Sequence, residues 1–100
     1  LGDAVTDAAA KWLLAAYWEC VRLNTAWKSP MLYVNDIDEY AIELRNGDRD
    51  LDVNIGAGGT RAFKTDEIGG SVRMVDCDDD SPESMIRWLF RGDPIVVPDP

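Results

Sequence analysis

The sequence predicts a single α+β domain over residues 1–100: a long N-terminal helix and a short C-terminal helix packed on one face of a small antiparallel sheet of three to four strands. Three observations carry this reading. The first quarter of the chain holds an apolar stripe of helical period, the middle holds an Asn-Gly hairpin signal between alternating segments, and a Ser-Pro…Gly bracket encloses an amphipathic stretch near the end.

Val5, Ala9, Trp12, Ala16, Cys20, Leu23 and Trp27 recur at spacings of three and four residues, which is one face of a helix over 3–27. Leu13 and Tyr17 widen the stripe. Asp3 or Thr6 suits the N-cap, Asp7 suits the first turn, and Ser29-Pro30 ends the segment. Leu14 and Trp18 fall on the opposite face, among Asp7, Lys11 and Arg22. The expectation is that a sheet or second helix covers them too. The alternative is a second contact surface, where an aromatic anchor beside an arginine is typical.

"MLYV" (31–34) reads as a strand and "NDIDE" (35–39) as an acidic turn. In "YAIELRNGDRDLDVNI" (40–55), Asn46-Gly47 is the preferred centre of a type I′ turn. That turn would pair Arg45 with Asp48, Glu43 with Asp50 and Ile42 with Leu51. One face then carries Tyr40, Ile42, Leu44, Leu51, Val53 and Ile55, and the other carries Glu43, Asp50 and Asp52. "GAGGT" (56–60) reads as a flexible loop and "SVRMV" (71–75) as a further strand. "SPESMIRWLFRG" (81–92) reads as a helix with Ser81 at the N-cap, Pro82 at the first position and Gly92 past the end. "IVV" (95–97), between prolines, reads as an edge strand or a docked tail.

Nineteen acids against ten bases give a net charge of −9, with a pI near 4.2. Such a chain repels phosphate backbones, which argues against direct nucleic-acid binding, and is drawn to basic protein surfaces. Solubility or adaptation to salt is the plainer explanation of the same charge. No apolar run reaches membrane-span length. The chain opens on Leu1 with no signal-peptide pattern, which suggests a trimmed N-terminal piece. Cys20 and Cys77 have no partner motif, so buried thiols in a reducing, cytoplasmic compartment are expected. There is no histidine. That removes Ser-His and Cys-His nucleophiles and leaves no ordinary zinc ligand set. No catalytic residue, metal site or cofactor is expected.

The run "VDCDDDSPES" (75–84) sharpens the question of what the acids do. As a calcium loop starting at Asp76 it would need Gly at the sixth position and Glu at the twelfth, where Ser81 and Arg87 stand. Counting from Asp48 puts Val53 and Gly59 there. Asp79, Asp80 and Glu83 sit where a helix dipole favours negative charge. Asp76 and Asp78 are left for solvent or for a wider acidic surface. The glycines at 56–59 lack the Gly-Lys-Ser/Thr of a phosphate loop.

Gly58-Gly59-Thr60, Phe63, Gly69-Gly70 with Val72, Cys77, Ser81, Glu83 and Met85-Ile86 resemble the C-terminal part of immunity proteins that neutralise deaminase-type polymorphic toxins of bacteria. The resemblance spans residues 58–92. It implies a toxin inhibitor, not an enzyme, and carries over no catalytic or contact residue by position.

The expected function is therefore a non-enzymatic inhibitor or immunity-type protein that occupies a basic cleft of its partner. Asp36, Asp38, Glu39, Glu43, Asp50, Asp52, Asp76, Asp78 and Asp79 would stand in for phosphates. The alternative is a structural or assembly subunit, as in a phage particle, contacting neighbours or copies of itself through Leu14 and Trp18. A small enzyme working through carboxylates alone is a third reading.

Overall fold

The computed structural model describes residues 2–96. Helix α1 spans Asp3–Arg22 and buries Ala9, Trp12, Ala16 and Cys20, as its stripe predicts. It stops five residues short of the expected end. Asn24 takes a left-handed backbone (φ 56), Thr25 N–H bonds to Cys20 O, and Asn24 N–H bonds to Val21 O. This pair of bonds is a Schellman ending, and asparagine is among the few non-glycine residues that tolerate it. Neither Asp3 nor Thr6 caps the start. Gly2 holds the N-cap with no side-chain bond, and the Thr6 hydroxyl meets the Tyr40 hydroxyl instead.

Five strands follow, in place of the three or four expected: β1 (Met31–Val34), β2 (Tyr40–Asn46), β3 (Arg49–Gly56), β4 (Gly59–Ile68) and β5 (Ser71–Asp76). They form one antiparallel meander in chain order. The residues expected as a flexible 56–60 loop are a tight turn joining β3 to β4. Strand β4 escapes the apolar-alternation test because its inner face reads Ala62, Lys64, Asp66. Lys64 is half-buried, with an ion pair to Asp80 at 2.9 Å and a place over the Trp88 ring. Asp66 is buried by its bond to Arg73.

The β2–β3 hairpin is a correction. Gly47 has φ 59 and Asp48 is not left-handed, so the turn centres on Gly47-Asp48 with Gly first, which fits type II′ in place of type I′. Asn46 therefore pairs with Arg49, Arg45 with Asp50, Leu44 with Leu51 and Glu43 with Asp52. The shift is one residue on each strand, so inside stays inside. Ile42, Leu44, Leu51, Val53 and Ile55 are all buried. The like-charge neighbour of Glu43 changes from Asp50 to Asp52.

Helix α2 (Pro82–Arg91) forms as its bracket predicts, with the Ser81 hydroxyl accepting from Ser84 N–H and Gly92 at the C-cap. Met85, Ile86 and Leu89 join α1 and the inner faces of β2–β4 in one core, and Trp88 lies between Arg49 and Lys64. Glu19 of α1 is 4% exposed and accepts from Arg22 and from Arg87 of α2, tying the helices together. Both cysteines are buried free thiols. Past α2 the chain docks as a tail: Ile95 is buried and its N–H bonds to Asp66. Val97 lies outside the described residues.

Candidate functional site

The two helices cover only one side of the sheet. On the other side the register lines up Met31, Glu43, Asp52, Phe63 and Asp76 in one row across all five strands. The next row is Arg45, Asp50, Thr65 and Met74. Directly opposed residues in such a ladder sit about 5 Å apart at Cβ, so Glu43 and Asp52 are a like-charge pair. Asp50 is satisfied by Arg45, with Nε to Oδ1 at 2.7 Å. Among the described residues Glu43 accepts only the Tyr33 hydroxyl, at 3.0 Å. Among the described residues nothing donates to Asp52.

The electrostatics follow. Partial burial pushes the Asp52 carboxyl above the usual carboxylate range, with Glu43 and Asp50 adding to the shift and Arg45 opposing it. Tyr33 is raised by its bond to Glu43 and by that carboxylate's charge. The cause lies in where the bases have gone. Arg22 and Arg87 serve Glu19, Arg61 serves Glu39 and Arg73 serves Asp66. Arg49 and Arg91 donate to the carbonyls of Trp88 and Leu23. Lys11 pairs with Asp7 and Lys64 with Asp80. Among the described residues Lys28 is the base with no such partner. The outer face therefore carries surplus charge because the cations are occupied elsewhere.

The nine acids expected to form one surface divide into groups. Glu43, Asp50 and Asp52 converge on the outer face. Asp76 shares their row, separated from Asp52 by Phe63. Asp36 and Asp38 are exposed in the β1–β2 turn, at the same end of the sheet as Asp78 and Asp79 but across several strands. Asp78 accepts the Ala62 N–H at 2.7 Å and holds its loop to β4. Glu39 does not belong to the surface. It is 9% exposed and gripped by Arg61 and Asn35.

Leu14 and Trp18 are corrected in the other direction. Among the described residues no sheet or helix covers them; they are 57% and 59% exposed and, with Tyr17 and Val21, make an apolar stripe on the outside of α1. Tyr33, Phe63 and Arg45 were missed as members of the outer face. For Arg45 the only signal was its charge opposite the Asp run, and the shifted register hid it.

A cleft of about 600 Å³ opens beside the acidic face, where β1 stops short of the β2 end. Trp27, Leu44, Leu89 and Phe90 line it, together with the acids Glu43, Asp50 and Asp52 and the bases Lys28 and Arg45. Among the described residues no group of three or more Cys, Asp or Glu side chains is arranged to hold a metal ion. Burial drives Cys77 up to about 11 and raises Cys20, so both thiols stay protonated at neutral pH. None of the described helices is long and apolar enough to cross a membrane. No protein-family model, curated protein or solved structure matches the chain.

Proposed function

We propose that this chain is a non-enzymatic acidic binding protein of the immunity or inhibitor kind, working in a reducing compartment and occupying a basic cleft of a toxin or nucleic-acid-acting enzyme. One observation supports this above the others: Glu43 and Asp52, both half-buried on the sheet face the helices leave uncovered, oppose each other with no cation of the described residues bonded to either. A basic partner supplies that cation. It converts a repulsive pair into a charge-assisted contact, speeds encounter and fixes orientation. Tyr33 and Phe63 on the same face provide the aromatic contact area that such interfaces use.

The test is capture of a partner from the native host at low salt, followed by affinity measurement across ionic strength. Affinity should fall steeply as the Debye length shrinks from about 10 Å toward about 3 Å. The E43Q/D52N pair should weaken it by about tenfold or more. An affinity flat with salt and indifferent to E43Q/D52N would overturn the reading.

A second reading rests on the exposed stripe Leu14, Tyr17, Trp18 and Val21. In it the chain is an assembly subunit that meets its neighbours through α1. Native mass spectrometry separates the two: a monomer supports the inhibitor, and a stable ring or larger oligomer supports assembly.

A further inference from the structure

Among the described residues, the last three of β2 have a strand neighbour on one side only. β1 begins at Met31, opposite Glu43, because Pro30 precedes it and cannot donate to a ladder. Leu44, Arg45 and Asn46 therefore face a vacant strand position. The two-residue turn makes Asn46 and Arg49 the closing hydrogen-bonded pair, and alternation then turns the Arg45 N–H and C=O toward the vacancy. The Trp27–Ser29 segment passes the gap, yet among the described residues no backbone hydrogen bond joins it to Leu44–Asn46. The space between is the cleft of about 600 Å³, with Trp27, Leu44, Leu89 and Phe90 as its apolar lining.

We propose that this vacancy is a strand-addition site for an extended basic segment of a protein partner. Such a segment pairs its backbone with Arg45, lies in line with β1, and turns an arginine or lysine toward Glu43 and Asp52. Alternate side chains of an added strand point to opposite faces, so the neighbouring residue enters the apolar cleft. Charge complementarity selects the occupant. Among the described residues Arg45 is already engaged by Asp50, which leaves Glu43 and Asp52 in the lining without a cation bound to them and Lys28 as the one lining base with no ion pair. A second copy of this chain, at −9 net charge, is a poor occupant. The inference rests on the acidic face binding a basic partner, and adds the backbone pairing by which it does so.

The test uses the full chain, ¹⁵N-labelled, titrated with the acetylated and amidated pentapeptide Thr-Arg-Val-Arg-Thr. The expected result is a saturable shift of the Arg45 amide and the Trp27 indole. The same peptide N-methylated at both arginines, the residues whose N–H groups face Arg45 when their side chains face Glu43 and Asp52, should lose the shift, and the peptide with both arginines replaced by glutamine should bind at least about tenfold more weakly. R45P removes the amide at a position where an edge tolerates proline, and should abolish the shift of the Trp27 indole, while R45A retains it. No saturable shift, equal binding of the N-methylated peptide, or a dimer that fills the gap without peptide would each overturn the proposal. If E43Q/D52N abolishes partner capture while N-methylation changes nothing, the acidic-face reading stands and strand addition falls.

Discussion

Three carboxylates inside the molecule and three on its open face experience opposite physics. Glu19, Glu39 and Asp66 are nearly inaccessible, and each is held by at least one arginine: Arg22 and Arg87, Arg61, and Arg73 respectively. Glu43, Asp50 and Asp52 lie together on the uncovered sheet surface and share Arg45. A buried anion without a partner carries a heavy desolvation penalty, so the fold must allot its guanidinium groups there first. What remains outside is charge without counterion. The lesson is that net charge alone locates nothing, because the allocation of the few cations decides where the excess appears.

The largest effect expected from breaking this contrast is at Asp66, which is 2% exposed. D66A leaves the half-buried Arg73 guanidinium without its carboxylate and orphans the buried Ile95 N–H that docks the tail. Loss of one member of a buried pair costs about 3 kcal/mol or more. Urea unfolding should show that loss, and hydrogen exchange should show the 93–96 segment opening first. The equivalent truncation outside, D50A, should cost well under about 1 kcal/mol, as exposed pairs do.

Next in size is Gly56, whose absent side chain makes room for Glu39. A Cβ there would stand 2.7 Å from Glu39 Cγ. That side chain cannot swing away without giving up Arg61 and Asn35. G56A should therefore cost about 1–3 kcal/mol by overpacking, again read from urea midpoints.

How much of this was open to sequence reasoning depends on which side of the sheet is considered. The inner side was legible: the α1 stripe, the buried hairpin face and the capped α2 all declare themselves by period or by punctuation residues. The exceptions have particular causes. Asn24 ends α1 with a left-handed turn that an apolar stripe running on to Trp27 conceals. β4 places Lys64 and Asp66 inward, where alternation looks for apolar residues. On the outer side, membership of the face was legible for Glu43, Asp50 and Asp52, but their pairing was not. It depends on whether Gly47 is the first or second central residue of its turn, and Asn-Gly-Asp permits both. Glu39 was misplaced because its partner Arg61 is 22 residues away, on a strand that the sequence did not reveal.

Acid titration sharpens the contrast by sign. Bonding to Arg22 holds Glu19 down to about 2, with Arg87 reinforcing it against burial, and bonding to Arg61 and Asn35 lowers Glu39. A folded-state value below the unfolded one, about 4.3 for glutamate, gives stability that is present above pH ~4.3 and is lost as pH falls toward the folded value. Thermal midpoints of the native chain should therefore drop between about pH 5 and pH 2. E19Q should start lower at neutral pH and show a shallower decline through that window. An equal decline in E19Q and the native chain would mean that the helix-bridging carboxylate is not what acid destroys.

The smallest effect has the opposite sign and is the sharpest test of the outer face. Asp52 is shifted up, chiefly by burial and then by Glu43. The folded state thus holds this proton more tightly than the unfolded chain, whose aspartate titrates near 3.9. Its contribution is fully present below that pH and disappears as pH rises through the folded value, so at neutral pH the ionised group is a net liability. D52N removes the like-charge neighbour of Glu43 and should raise neutral-pH stability by a few tenths of a kcal/mol, a gain that vanishes below about pH 4. The same substitution should weaken capture of a basic partner. Stability and binding then move in opposite directions at one residue, which is the behaviour of a position kept for contact with a partner. A D52N chain that is destabilised at neutral pH would instead assign Asp52 to holding the sheet together.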